Sequence, residues 1–197
     1  MKPAPLAFSH VGIFVRDPDT MTRFYQRVLG LVVTDRGHLP GRELVFMSRD
    51  PREHHQVVFA SGRTGDPADR VINQISFRVG SLEELQAMHQ QLKSEPDATD
   101  LRPINHGNAW TLYFRDPEGN RLELFVDSPW YVAQPRADPL DLDQPADVIR
   151  RETEATCRRD PTFAPAEIWR ADIARRIAEG AGIPADRDGA AGNDEQH

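Results

Sequence analysis

Histidine and carboxylate side chains near strand-like segments are the groups in this sequence best suited to chemistry. His10 lies in FSHVGIFV, the pair His54-His55 precedes QVVFAS, His106 precedes GNAW, and Glu123 lies in RLELF. Histidine titrates near neutral pH and binds transition metals, and a carboxylate supplies a harder donor for the same ion. Each group also has a simpler interpretation. A single strand histidine is most often a hydrogen-bonded polar residue, and a glutamate between two leucines is typical of a solvent-facing position.

The spacing of apolar residues predicts the strands and the helix that position His10 and His54-His55. Residues 8–15 roughly alternate between apolar and polar or small side chains, which indicates a strand. Asp17 followed by proline predicts the start of a helix, and Gly30 is placed to end it. Three further strands are predicted at residues 31–36, 43–48 and 56–60.

The second half of the chain repeats this order. Residues 71–79 again alternate as in a strand, and Ser81 with Glu84 predicts the capping box of a following helix. That helix carries an apolar face of Leu82, Leu85, Met88 and Leu92. Strands are predicted around residues 102–104, 111–115 and 121–127, with a hairpin turn in DPEGN between the last two. The sequence therefore predicts two modules, residues 1–62 and 63–128, joined by the Gly-, Asp- and Pro-rich segment 61–70.

Residues 129–197 have a different character and are predicted as a separate extension. A proline-rich arm comes first, followed by short helices near residues 146–158 and 164–179 and a disordered tail at 185–197. The last helix has one apolar face, which we expect to dock on the core or on a second subunit: Ile168, Trp169, Ile173 and Ile177. This face and the exposed sheet edges predict a homodimer.

Composition excludes several classes of partner. The 197 residues carry a net charge of −7, so there is no excess of positive charge for nucleic acid or an anionic membrane. The single cysteine, Cys157, excludes an internal disulfide and favours a reducing compartment. No glycine-rich phosphate loop, signal core or membrane-length apolar run is present. We expect a cytoplasmic protein.

Three motifs standing in order carry a resemblance to a known family: HVGIFVRD, FYQRVLGL and DPEGNRLELF. Together they make residues 6–127 similar to the vicinal oxygen chelate superfamily. That superfamily includes glyoxalase I, fosfomycin and bleomycin resistance proteins, and type I extradiol ring-cleaving dioxygenases. The resemblance implies an α+β fold in which two βαβββ modules form a glyoxalase-like open barrel around one divalent metal, with the C-terminal helices as an extension.

The resemblance also implies a set of metal ligands, closest to the extradiol branch. His10 matches the first histidine ligand and Glu123 the carboxylate ligand. Aligning SHVGIFV with NQISFRV places Gln74 opposite His10, so a glutamine stands where that branch has its second histidine. The implied cofactor is a divalent metal, Fe(II) above all. Because a neutral amide is a weaker donor for iron than imidazole, Mn, Ni, Co and Zn are alternatives.

Three further residues have roles implied by the resemblance. His54-His55 resembles the paired histidines that close the first module, one of which is the acid–base residue. We favour His55, because on a continuous strand it shares a face with Val57 and Phe59. Tyr113 matches a tyrosine that hydrogen-bonds the substrate, and His106 resembles a histidine that contacts it.

The function implied is cleavage of an aromatic vicinal diol, of catechol or biphenyl-diol type, with O2. One alternative is a lyase or epimerase of the same fold, which would use the metal to polarise a carbonyl. Such enzymes have a second carboxylate closing the first module, and HHQVVFAS offers none. The other alternative is a non-enzymic dimer that binds a small molecule, as resistance proteins of this fold do.

Overall fold

The computed structural model describes residues 8–65 and 72–179. The first module consists of β1 (Val11–Val15), α1 (Pro18–Leu29), β2 (Val32–Leu39), β3 (Arg42–Ser48) and β4 (Val57–Ser61). The second consists of β5 (Ile75–Arg78), α2 (Leu82–Lys93), β6 (Thr99–Asn105), β7 (Ala109–Arg115) and β8 (Arg121–Asp127). The predicted order of a strand, a helix and three strands is thus confirmed twice. Part of the predicted connector, residues 66–71, lies outside the described residues.

Both module helices begin at the residues that the sequence predicts. Asp17 Oδ1 accepts hydrogen bonds from the backbone N–H groups of Asp19 (3.0 Å) and Thr20 (3.1 Å). Gly30 ends α1 with φ of 67°, a left-handed conformation that glycine adopts without strain. Ser81 Oγ accepts from the N–H of Glu84 at 3.1 Å, which caps α2.

The two sheets have the same topology. The first has the order β1-β4-β3-β2, and the second contains β5-β8-β7-β6, so each opening strand lies parallel to the last strand of its own module. The chain is therefore a mixed α+β protein with two βαβββ modules, as predicted. In the described ranges the two sheets are separate and do not close into one barrel.

One face of each sheet is buried against the helices, and the two modules contribute to one hydrophobic core. The Tyr25 ring of α1 packs on Phe59 of β4, with ring centroids 4.8 Å apart. The Tyr25 hydroxyl donates to Asp116 of the second module at 3.2 Å. Nearby, Arg27 of α1 bonds to Glu95 and Asp97, which follow α2. The opposite faces of the two sheets, called helix-free here because α1 and α2 do not cover them, carry the candidate site.

The C-terminal extension lies along the second module. It contains β9 (Trp130–Tyr131), β10 (Asp138–Pro139), α3 (Ala146–Cys157), β11 (Ala164–Pro165) and α4 (Ala166–Glu179), so both predicted helices are present. β10 adds to the edge of the second sheet beside β6. Of the residues on the predicted docking face of α4, Trp169 stacks on Tyr131, whereas Ile168 and Ile177 are 60% and 75% exposed.

The predicted tail at 185–197 lies outside the described residues. Within the described ranges, no helix is both long enough and apolar enough to cross a bilayer.

Candidate active site

Strand alternation brings three side chains of the second module together on the helix-free face of its sheet. Leu122 and Leu124 are buried in the core, so Glu123 between them faces the other way. In register, Glu123 of β8 is paired with Ser76 of β5 on one side and with Tyr113 of β7 on the other. Gln74, two residues before Ser76, reaches the same place.

The Glu123 carboxylate is buried, with 7% of the residue exposed, and its hydrogen-bond donors are neutral. Its Oε2 accepts from Gln74 Nε2 at 2.6 Å and from the Ser76 hydroxyl. No cationic side chain in the described part of the chain pairs with it. A buried anion without a counter-charge is costly, and a divalent cation supplies that charge. The residues therefore fit a metal ion, and a 180° turn of the Gln74 amide would present its oxygen to the ion.

Tyr113 and His106 extend this group. Burial, followed by hydrogen bonding to Glu123, raises the pKa of Tyr113 to about 12, so its hydroxyl stays protonated at neutral pH. The Tyr113 hydroxyl lies 3.2 Å from His106 Nε2. The other ring nitrogen of His106, Nδ1, donates to the backbone carbonyl of Arg136 in the arm.

A shallow cleft of about 320 Å³, broadly open to solvent, lies beside this group. Its lining residues come from β5, the loop before β7, β7, β8 and the arm: Ser76, His106, Asn108, Ala109, Thr111, Glu123, Phe125 and Gln134. Thr111 Oγ1 is buried and has no hydrogen-bond partner among the described residues. An orphaned buried hydroxyl beside a buried carboxylate suits a polar ligand that supplies the missing hydrogen bond.

The histidines of the first module form a second group. The rings of His10 and His55 lie 4.2 Å apart between centroids, and His54 Nδ1 lies 2.9 Å from His55 Nδ1. Burial, followed by the charges of His10 and His54, lowers the pKa of His55, which favours the neutral ring. His55 also contacts Phe46, whose strand neighbours are in the core, so it lies on the helix-free side of the first sheet.

The parity argument that placed His55 with Val57 and Phe59 is wrong. β4 begins only at Val57, and Val57 and Phe59 face the core. The turn at residues 50–56 breaks the alternation before His55 is reached. The position of His55 beside His10 follows from that turn and from the parallel pairing of β1 with β4.

The structure thus brings the predicted residues together as two groups. One contains Gln74, His106, Tyr113 and Glu123, and the other contains His10 and His55. No described hydrogen bond or ring contact joins the two groups. Across residues 8–65 and 72–179, no group of three or more His, Cys, Asp or Glu side chains converges as a metal site. The predicted ligand set contains only two such residues, His10 and Glu123, because its third member is Gln74.

Sequence reasoning missed four residues of the site. Ser76 follows Gln74 by two positions, so strand alternation could have found it. Thr111 precedes Tyr113 by two positions, and the same argument applies. Gln134 and the carbonyl of Arg136 come from the arm, whose irregular sequence gives no signal of where it lies.

Comparisons with known proteins show which family this chain is similar to. The family model described as Glyoxalase/Bleomycin resistance protein/Dioxygenase superfamily matches residues 7–124. Biphenyl-2,3-diol 1,2-dioxygenase 2 of Rhodococcus globerulus is 30% identical over 61% of this chain and 63% of its own length. The chain therefore spans less than two thirds of that relative. Biphenyl-2,3-diol 1,2-dioxygenase 3 of the same organism is 28% identical over 84% of this chain and 83% of its own length.

Solved structures show the same fold. A glyoxylase/bleomycin resistance protein/dioxygenase domain from Frankia sp. matches with a TM-score of 0.54 and 23% identity, covering 63% of this chain and 99% of that domain. The fosfomycin resistance protein FosX from Listeria monocytogenes, solved with Mn(II) and sulfate, matches with a TM-score of 0.51 and 17% identity. That match covers 64% of this chain and 95% of FosX.

Proposed function

Because the chain belongs to the glyoxalase/bleomycin resistance protein/dioxygenase superfamily, we propose that it is a metal-dependent dioxygenase that cleaves an aromatic vicinal diol with O2. The observation that carries the proposal is the buried Glu123 carboxylate, which has neutral donors around it and a cleft beside it. The diol class is supported by two relatives named as biphenyl-2,3-diol dioxygenases.

Glu123, Gln74 and His10 are the proposed metal ligands, and Fe(II) is the proposed metal, with Mn, Ni, Co and Zn as alternatives. The side chains of Glu123 and Gln74 are hydrogen-bonded to each other, whereas His10 lies in the second group, against the ring of His55. The chemistry that such an ion supplies is acidification of the hydroxyl groups of a chelating diol.

The remaining roles belong to side chains of this chain. Tyr113, which stays protonated at neutral pH, donates a hydrogen bond to a substrate oxygen in the cleft. In the free protein the single hydroxyl proton of Tyr113 is donated to His106 Nε2 instead, which holds the hydroxyl in place until a substrate oxygen replaces that acceptor. His55 is the proposed proton acceptor for the diol, because it is the ring packed directly on His10. The Thr111 hydroxyl offers the substrate a further polar contact.

The test is oxygen consumption by reduced, iron-loaded protein mixed with a panel of diols, including catechol and biphenyl-2,3-diol. We expect one O2 consumed per diol, with a ring-opened product that contains both oxygen atoms. Glu123→Gln should abolish the reaction, and Glu167→Gln, on the exposed surface of α4, is the matched control that should not. Absence of both oxygen uptake and ring-opened product across the panel would remove the dioxygenase assignment.

A lyase or epimerase of the same fold is the second candidate, and Gln74 is the observation that favours it. An amide oxygen suits Mn or another hard cation better than iron. The position of the first module that corresponds to Glu123 is Val58, because Gly12 pairs with Val58 as Ser76 pairs with Glu123. The second carboxylate of such enzymes is therefore missing there. Turnover of a substrate without oxygen uptake would favour this candidate over the dioxygenase.

We also propose that the protein acts as a homodimer. The helix-free face and outer strand of the first sheet expose apolar side chains, among them Phe14 (51%), Val32 (58%) and Leu39 (58%). Apolar surface gathered on one face is typical of an interface. Light scattering should give twice the mass of one chain, and a monomer at micromolar concentration would contradict the proposal.

A further inference from the structure

The arm, defined here as residues 128–145, contacts the candidate site directly. Its residue Arg136 accepts a hydrogen bond from His106 Nδ1 through the backbone carbonyl. A neutral imidazole carries one proton, so donation from Nδ1 leaves Nε2 as an acceptor. Nε2 faces the Tyr113 hydroxyl at 3.2 Å, which can then donate to it. The hydrogen bond to the arm therefore determines that Nε2, the His106 nitrogen facing Tyr113, carries no proton.

The Gln134 side chain links the arm to the loop that carries His106 through hydrogen bonds. Its Nε2 donates to the backbone carbonyl of His106 at 2.8 Å and lies 3.3 Å from Asn108 Oδ1. Its Oε1 accepts from the backbone N–H of Arg136 at 3.0 Å, which fixes the peptide that follows. One side chain thus bonds both to the loop and to the arm segment that holds the His106 ring. Gln134 also lines the cleft beside Glu123.

Other contacts hold the same loop against the arm. Ser128 Oγ donates to the carbonyl of Gly107 at 2.6 Å. A Cβ on Gly107 would lie 2.5 Å from Val132 and 3.2 Å from Cys157 of α3, so the arm and α3 pack on the backbone itself. The Arg136 guanidinium is anchored in turn to Asp138 and Asp160. The arm is fixed at both sides of the His106 contact.

We propose that the arm contributes directly to the site. Gln134 is a positioning residue that holds His106 in the Nδ1–H tautomer, and it forms one wall of the substrate cleft. The role of His106 in the reaction rests on the proposed dioxygenase function, whereas the tautomer does not. Residues outside the two modules thereby contribute to activity and to the shape of substrate accepted.

The test replaces Gln134 by glutamate, which keeps the shape and the acceptor oxygen but removes the two N–H donors. The full-length protein is labelled with ¹⁵N-histidine, and the His106 signals are identified as those missing in His106→Gln. We expect the Nδ1–H tautomer in the wild type and a mixture of tautomers in Gln134→Glu. Gln91→Glu, on the exposed surface of α2, is the matched control and should leave the His106 signals unchanged.

Kinetics with the diol that the wild type cleaves provides the second measurement. Loss of the Gln134 donors, which include the hydrogen bond to the His106 carbonyl, should lower kcat by about tenfold, while the melting temperature stays close to that of Gln91→Glu. An Nε2–H tautomer in the wild type would overturn the proposal, as would unchanged His106 signals and kcat in Gln134→Glu. If the tautomer shifts as expected but the protein consumes no oxygen, the positioning role of Gln134 stands and the proposed dioxygenase function is refuted.

Discussion

Replacement of Gly107 by alanine measures how tightly the arm is packed on the His106 loop. Gly107 has φ of +75°, and a Cβ there would lie 2.5 Å from Val132 Cγ2. The left-handed conformation costs an alanine about 1–2 kcal/mol, and overpacking of this kind costs about 1–3 kcal/mol. The sum is roughly 2–5 kcal/mol, which corresponds to a fall of roughly 4–20 °C in the melting temperature for a chain of this size.

Gly119→Ala supplies the matched control for that prediction. Gly119 also has a positive φ, of +79°, but an added Cβ would meet no atom within 4 Å. It therefore carries the backbone cost without the clash. Thermal melts followed by circular dichroism should show Gly107→Ala less stable than Gly119→Ala by about 1–3 kcal/mol. Equal melting temperatures for the two variants would refute the packing of the arm on this loop.

Two further predictions concern the contact between the modules. Arg27→Gln should lower stability at neutral pH by roughly 1 kcal/mol, since it removes two charged hydrogen bonds to Glu95 and one to Asp97 in a partly exposed ion pair. The Arg27 guanidinium lowers the pKa of Glu95 in the folded protein. The stabilisation is therefore fully present above the pKa that Glu95 has in the unfolded chain, and it is lost as the pH falls through the lower pKa that Glu95 has in the folded protein. Urea titrations from pH 7 downward should therefore show the wild type and Arg27→Gln converging in acid, and a constant difference would contradict the ion pair. Tyr25→Phe should cost roughly 1–2 kcal/mol in the same assay, because Asp116 loses a buried donor; no loss would show that this bond is not needed.

The regular part of the fold could be predicted from the sequence because its signals are local. Asp17 and Gly30 act on the backbone groups nearest to them, so the ends of α1 follow from neighbouring residues. Alternation on β8 is enough to place Glu123 opposite the core. The sequence pattern did not predict which strands pair; the structure pairs the first strand of each module with its last.

The missed parts of the site depend on contacts between residues distant in sequence. The position of His55 depends on where β4 begins, and a single turn before Val57 changed the face that alternation predicted. The contact between His106 and Arg136 joins residues 30 positions apart through a backbone carbonyl, which no side-chain pattern encodes. The irregular arm could be recognised by composition, but its path along the second module could not.

Titration of metal-free protein with Fe(II) under anaerobic conditions, followed by calorimetry, tests most directly whether Glu123 is the centre of the site. We expect one ion per chain for the wild type and for Glu167→Gln. Affinity should fall by at least about a hundredfold in Glu123→Gln, because the anionic donor is replaced by a neutral amide of the same shape. Equal affinity in Glu123→Gln and the wild type would contradict the account, as would a wild-type protein that binds neither Fe(II) nor any of the alternative metals.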